Sequence, residues 1–313
     1  MKMGLLVAAL VLIVLLALQG WAVWRAEKNA PPIGKFVEVD GERLHVVDIP
    51  AQEGATGPPV ILIHGASVNL RDMMLALGEP LSKNHRVLIF DRPGRGYSSR
   101  PADGWRLDVQ AGLIHAAARA LGAERPIIVG QSLGGAVALA YALQYQDEMA
   151  GLVLLAPVSH KWPGGVAWYN SVSGWPVAGT LLRRRVIPIY GPLAARPGVR
   201  KSFAPDIEPD GYYDRSGLTL LFRPKDFRAN AEDLRHLKIQ VVAMSARYGE
   251  LRLPTAILTG DKDVTVSPEI HSKTLAREIP GAVLDLLPGT GHALHHSQTG
   301  RVLAAIERLS AAD

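Results

Sequence analysis

Cysteine is absent from the 313-residue chain. Its absence excludes disulfides, a thiol nucleophile and thiolate metal sites together, and it leaves the redox compartment open. Long low-complexity tracts, blocks of like charge and internal repeats at a solenoid period are also missing, so neither a disordered chain nor a repeat array fits. There is no nucleotide-binding glycine fingerprint and no metal-ligand cluster. His295 and His296 are too close in sequence to form a metal site without partners. No cofactor is therefore expected. With 48% hydrophobic and 20% charged residues, the chain has apolar content enough for one large domain or two small ones.

The net charge of +5 is concentrated in one segment. Residues 158–250 hold fourteen Lys/Arg against eight Asp/Glu, and the rest of the chain holds twenty against twenty-one. A protein that held nucleic acid with its whole surface would not localise charge in this way, and no nucleic-acid motif is present. The surplus needs an explanation local to that segment.

The N-terminus holds the one long apolar run. Gly4 to Trp24 carries no charge, and Gln19 is its only strongly polar side chain. At 1.5 Å per residue this run spans about 30 Å, the hydrocarbon thickness of a bilayer. Trp21 and Trp24, followed by Arg25 and Lys28, form an interfacial belt with charged anchors. The expectation is a single-pass transmembrane helix with its linker over residues 1–30, ahead of a folded domain over 31–313. A cleaved signal peptide competes with this reading, but the run exceeds the usual apolar core of such a signal and no small-x-small site follows it. Lys2 lies on one side, with Arg25, Lys28 and Lys35 on the other. This charge bias leans to a cytoplasmic placement of the domain that follows and leaves the side of the membrane open.

Beyond Pro31-Pro32, short β-rich runs alternate with helical patterns. Phe36 to Val39 and Arg43 to Val47 flank Asp40-Gly41 and predict an antiparallel hairpin. Runs at 60–63, 87–90, 127–129, 152–155, 256–258 and 283–286 follow. The inner ones are apolar without alternation, as parallel strands covered on both faces are. Helices are expected at about 108–121, 133–146, 271–278 and 299–311, which makes the class α/β with a mostly parallel sheet. Between Pro157 and Pro254 nearly a hundred residues pass without a core strand, and they include Trp162, Trp168, Trp175 and Arg183-Arg184-Arg185. A cap inserted over about 158–250 accounts for that interval better than a loop does.

Gly130-Gln131-Ser132-Leu133-Gly134 fits Gly-x-Ser-x-Gly, a pattern expected by chance on the order of 0.1 to 0.2 times in a chain this size. Its context is what makes it informative. It follows the strand Ile127-Ile128-Val129 and precedes a helical run, the setting of a nucleophile elbow. There a tight turn needs small residues at Gly130 and Gly134, and a helix N-terminus favours developing negative charge.

With these segments in view, the chain from about Phe36 onward resembles the α/β-hydrolase superfamily, with a helical cap inserted after the sixth strand. Val60-Ile61-Leu62-Ile63-His64-Gly65 resembles the third strand and oxyanion loop, and Asp91 to Ser98 the turn after the fourth strand. Gly260-Asp261-Lys262-Asp263 resembles the acid-bearing turn, and Gly291-His292 the histidine loop. The resemblance implies a Ser132–Asp263–His292 triad in the family's chain order, with Asp261 the competing acid and His295 and His296 nearby decoys. It implies an oxyanion hole from the backbone N–H groups of Leu133 and Ala66, with His64 bracing that loop and Asp91 and Arg92 structural. A serine hydroxyl needs an adjacent base, and that base needs an acceptor to fix its tautomer. The expected activity is hydrolysis of a carboxylic ester, small or lipid-like, through an acyl-enzyme. Carbon–carbon bond hydrolysis is the alternative chemistry, and a catalytically silent membrane-tethered binding protein is the alternative class. Oligomeric state is left open.

Overall fold

The computed structural model describes residues 2–311. Eight strands form one sheet: β1 Lys35–Val39, β2 Glu42–Ile49, β3 Val60–Ile63, β4 Val87–Phe90, β5 Ile127–Gln131, β6 Gly151–Leu155, β7 Thr255–Gly260 and β8 Val283–Leu287. Their order is β1-β2-β4-β3-β5-β6-β7-β8, with the β1–β2 and β2–β4 pairs antiparallel and the remaining pairs parallel. The hairpin turns where Asp40-Gly41 predicts it. Both residues have positive φ (51° and 77°), and Val39 pairs with Glu42 across a two-residue loop.

The inner strands β3, β4, β5 and β6 are buried along their whole length. Strand periodicity of two sends alternate residues to opposite faces. Ile61, Ile63, Leu88, Phe90 and Ile128 pack on α4 (Leu107–Ala120) and α5 (Leu133–Tyr145). Val60, Leu62, Val87, Ile89 and Val129 pack on the other face against α13 (Thr299–Ser310) and the segment between β3 and β4. That segment, without a helix in the sequence reading, is helical from Leu70 to Ser82 as α2 (Leu70–Met73), a π turn (Met74–Gly78) and α3 (Glu79–Ser82). Pro80 lacks the N–H that an uninterrupted α-helix would use there, which masks the helical pattern and goes with the change of register.

Between β6 and β7 lie five helices: α6 (Trp168–Val172), α7 (Pro176–Leu181), α8 (Ile187–Phe203), α9 (Tyr212–Arg215) and α10 (Pro224–Ser245). The short α11 (Ser272–Glu278) follows β7, and α12 (Leu294–Ser297) precedes α13.

Helix α1 spans Lys2–Asn29. Its apolar residues are largely exposed, Leu6, Leu10, Ile13 and Trp21 among them. Among the described residues no helix is long and apolar enough to cross a membrane. The expected anchor falls partly outside that description, because the side chains of residues 4, 5, 8, 9, 11 and 12 are not included in it. The end of α1 is not a free tether. Ala26 and Ala30 are buried with Leu220, Glu27 pairs with Arg223 at 3.0 Å, and the Tyr97 hydroxyl donates to the Ala30 carbonyl at 2.7 Å. The expected boundary at residue 30 therefore cuts through a packed contact.

Candidate active site

Ser132 lies between β5 and α5 with φ 55° and ψ −118°, a strained conformation for a residue with a side chain. Neighbouring backbone holds it there: the Ser132 N–H donates to the Leu155 carbonyl at 2.9 Å, and its own carbonyl accepts from Gly135 N at 3.0 Å and Val158 N at 3.1 Å. A Cβ at Gly134 would lie 2.2 Å from the Ile63 carbonyl oxygen, and one at Gly130 would lie 2.4 Å from the Gly134 oxygen. Both positions therefore require glycine. Leu133 opens α5, where a helix leaves its first N–H groups without carbonyl partners.

His292 sits in the loop between β8 and α12. Its Nδ1 lies 2.7 Å from Asp263 Oδ2, and Asp263 Oδ1 accepts from Thr265 N (2.7 Å) and Val266 N (2.9 Å). With Nδ1–H given to the carboxylate, Nε2 is the acceptor, and the Gln131 side-chain amide donates to it at 3.2 Å. Among the described residues no direct hydrogen bond joins the Ser132 hydroxyl to the imidazole, whose Nε2 faces the side-chain amide of Gln131, the residue before the serine. Such contacts commonly tighten only when substrate is bound. Asp261 turns away to accept from Gly289 N at 2.7 Å. A third carboxylate, Asp206 of the cap, accepts from Gly291 N at 2.7 Å, and Ala293 N donates to Ser202 O at 3.2 Å. The cap therefore grips the histidine loop on both sides of the ring.

The loop after β3 is fixed by buried polar groups. His64 Nδ1–H donates to the Gly65 carbonyl (2.9 Å), while Nε2 accepts from Arg92 N (3.1 Å). Burial, with Arg92 beside it, holds the His64 imidazole down to about 3, so the ring is neutral. The Arg92 guanidinium donates to the carbonyls of His64 (3.0 Å) and Gly65 (3.1 Å) and is itself paired with buried Asp233 at 2.8 Å. Because a peptide group is planar, fixing the Gly65 carbonyl also fixes the direction of the Ala66 N–H. Ser67, at φ 63°, donates its N–H to Asn230 of α10 at 2.7 Å. The loop is next to the serine: a Cβ on Gly65 would come within 3.1 Å of Ser132 Cβ. Asp91 is held by His45, Leu70 N and Tyr97 N, with no proton left to move.

His295 and His296 acquire a partner that the sequence reading did not assign. Asp72 accepts from His295 Nε2 (3.0 Å), His296 Nε2 (2.9 Å) and the Tyr212 hydroxyl (2.7 Å). Among the described residues this is the one trio with the donors and spacing for a metal ion, and here its groups bond one another.

The family model described as the alpha/beta hydrolase fold matches residues 58–176. The chain is 30% identical over 280 residues to haloalkane dehalogenase 2 of Mycobacterium tuberculosis, covering 84% of this chain and 90% of that one. The chain belongs to the α/β-hydrolase fold family. This α/β-hydrolase is also 28% identical to a 2-hydroxy-6-oxo-6-phenylhexa-2,4-dienoate hydrolase of Burkholderia cepacia, over 85% of this chain and 92% of that one. An esterase from Exiguobacterium antarcticum shares the fold with a TM-score of 0.70 at 21% identity, covering 88% of this chain and 98% of that one. The chain is thus a hydrolase by family, and its relatives divide among ester, carbon–halogen and carbon–carbon chemistry.

Proposed function

We propose that this hydrolase cleaves a carboxylic ester through an acyl-enzyme on Ser132. The observation that carries the reading is a serine at a strained elbow, next to Gln131, whose amide lies 3.2 Å from Nε2 of an imidazole whose Nδ1 is held 2.7 Å from Asp263. His292 Nε2 takes the serine proton as Oγ attacks the carbonyl and returns it to the leaving alcohol; water then repeats the cycle on the acyl-enzyme. Leu133 and Ala66 N–H groups receive the oxyanion. Asp263 fixes the tautomer and stabilises the imidazolium.

Nucleophile chemistry argues against dehalogenation. Displacement of halide by a serine would leave an alkyl ether, which has no carbonyl for water to attack, whereas a carboxylate would leave a hydrolysable ester. Carbon–carbon hydrolysis stays as the second reading, favoured by the 28% identical dienoate hydrolase. Purified protein assayed on p-nitrophenyl esters of increasing chain length, and on a vinylogous 1,5-diketone, should turn over esters faster, with all turnover lost in Ser132→Ala. Faster cleavage of the diketone would overturn the ester assignment.

The same proposal includes the membrane. Helix α1 has 28 residues, about 42 Å at 1.5 Å each. Arg25 lies over the Trp21 ring at 5.1 Å and Lys28 over Trp24 at 4.9 Å, the arrangement of an interfacial belt. Trp168 (70% exposed) and Trp175 (58% exposed) extend apolar surface onto the cap, in keeping with a lipid-like acyl substrate.

A further inference from the structure

The chain's positive surplus gathers around a cleft that the ester chemistry does not use. This cleft, of about 720 Å³, lies between the turn after β4 and the cap, and five cationic residues line it: Arg100, Arg183, Arg184, Lys225 and Arg228. Glu232 is the single carboxylate in its lining, and it is already shared by Arg228 (2.8 Å) and Arg100 (3.4 Å). Arg183 spends its donors on the Ser173 carbonyl and the Thr180 hydroxyl. Arg184 and Lys225 have no carboxylate partner among the described residues. None of Ser132, Asp263, His292, Leu133 or Ala66 lines the cleft.

We propose that this cleft binds a phosphate-bearing anion, and that the phosphorylated headgroup of a membrane lipid is its source. Arg100 also pairs with Asp233 at 2.8 Å, which leaves Arg183, Arg184 and Lys225 as the cations of this concavity without a carboxylate partner among the described residues. Three such cations match the charge and several acceptor oxygens of a phosphate, for which arginine is suited by its fork of donors. Without such a ligand the cations work against one another. Burial lowers the Arg183 guanidinium from its ordinary value, and Arg228, Arg235 and Arg184 lower it further, with only Glu232 opposing. Burial and Arg223 also lower Lys225, against the opposing pull of Asp226, Glu27 and Asp91.

Placement favours the lipid source. One wall of the cleft, Thr180 to Arg184, belongs to the segment that exposes Trp175, Val177, Leu181 and Val186. On the opposite rim Lys225 lies 5.9 Å over the Tyr97 ring, whose hydroxyl holds Ala30 at the end of α1. Ala30 is six residues beyond Trp24, about 9 Å along a helix, so a bilayer that takes Trp24 at its interface brings headgroups beside this rim. Anionic headgroups attract nearby Lys and Arg over about a Debye length. The lipid source rests on the anchor proposed above; the phosphate site does not.

The test uses the full chain in nonionic detergent micelles, titrated with four probes: di-O-hexylglycerol phosphate, di-O-hexylglycerol, glycerol 3-phosphate and inorganic phosphate. Ether linkages keep the lipid probes from being hydrolysed. The phosphorylated lipid should bind saturably, the uncharged lipid should not, and Arg184→Gln with Lys225→Gln should weaken binding tenfold or more. Lys83→Gln with Lys161→Gln, exposed elsewhere, should leave it unchanged. Glycerol 3-phosphate or inorganic phosphate binding as tightly as the lipid would keep the site and overturn the lipid source. Equal binding of the charged and uncharged lipids, or no effect of Arg184→Gln with Lys225→Gln, would overturn the site. Carbonate extraction of the same chain from membranes reports on the anchor alone: release with cleft binding intact would count against the anchor and not against the cleft.

Discussion

Three aspartates reach the loop that carries His292, each at a different atom: Asp263 at the ring, Asp261 at Gly289 N and Asp206 at Gly291 N. Their contributions to turnover should rank accordingly. Asp263→Asn removes the acceptor that sets the tautomer and should lower kcat by about 10⁴. Asp206→Ala frees one backbone donor beside the ring and should cost about tenfold through misplacement of the base. Asp261→Ala, in a solvated turn, should stay within about threefold. Esterase kinetics on the three variants check this order, and a severe Asp261→Ala with a mild Asp263→Asn would reverse the acid assignment. Asp261 and Asp263 are legible in the sequence because both lie in a short turn directly after a strand. Asp206, Asn230 and Asp233 are not, since each comes from the cap and meets a partner 85 to 163 positions away, with no local pattern to mark it.

His64 carries a pH prediction. Its folded value of about 3 lies below the ordinary 6.5, so below pH 6.5 the unfolded chain binds the proton that the folded chain refuses. The stability this contributes is whole above pH 6.5 and is lost progressively as pH falls towards 3, by roughly 1.4 kcal/mol per unit at the steepest. His271, held down to about 4 chiefly by burial, acts in the upper part of the same window. Urea unfolding at pH 7.5, 6 and 4.5 should show falling midpoints; a flat series would mean that the buried imidazoles are not refusing protons.

Among the elements, those with simple periodicity are read most directly. The hairpin and the inner parallel strands follow from alternation, continuous apolar runs and Asp40-Gly41, and α4, α5 and α13 fall within about two residues of expectation. The helical segment from Leu70 to Ser82 is missed because Gly78 and Pro80 break its pattern, while Leu70, Met73, Leu77 and Leu81 bury it against β3 and β4. The end of α1 escapes for another reason: Ala26 and Ala30 look like linker until Leu220 and Tyr97 are seen to cover them. A chain shortened to begin at Pro31 therefore loses Glu27 from the buried Arg223 and uncovers Leu220, whereas one beginning at Arg25 keeps both contacts. The Pro31 form should be less stable by about 1–3 kcal/mol, with both forms active on soluble esters. Urea midpoints of the two forms check this, and equal midpoints would show that the contact carries no stability.

At the scale of the whole molecule, the sheet brings the elbow, the acid turn and the histidine loop to one end of its parallel strands, and the cap closes over that end through Asp206, Asn230 and Asp233. The charge is distributed to match, with a near-neutral catalytic body and a basic cap beside the end of α1. The chemistry of the whole still rests on one hydroxyl. Purified full-length chain treated with a fluorophosphonate, then analysed by intact mass and peptide mapping, measures directly whether that hydroxyl is activated. One adduct per chain, on Ser132, is predicted, absent in Ser132→Ala and slowed by orders of magnitude in His292→Ala. An unlabelled chain, or an adduct on any other residue, would contradict the account.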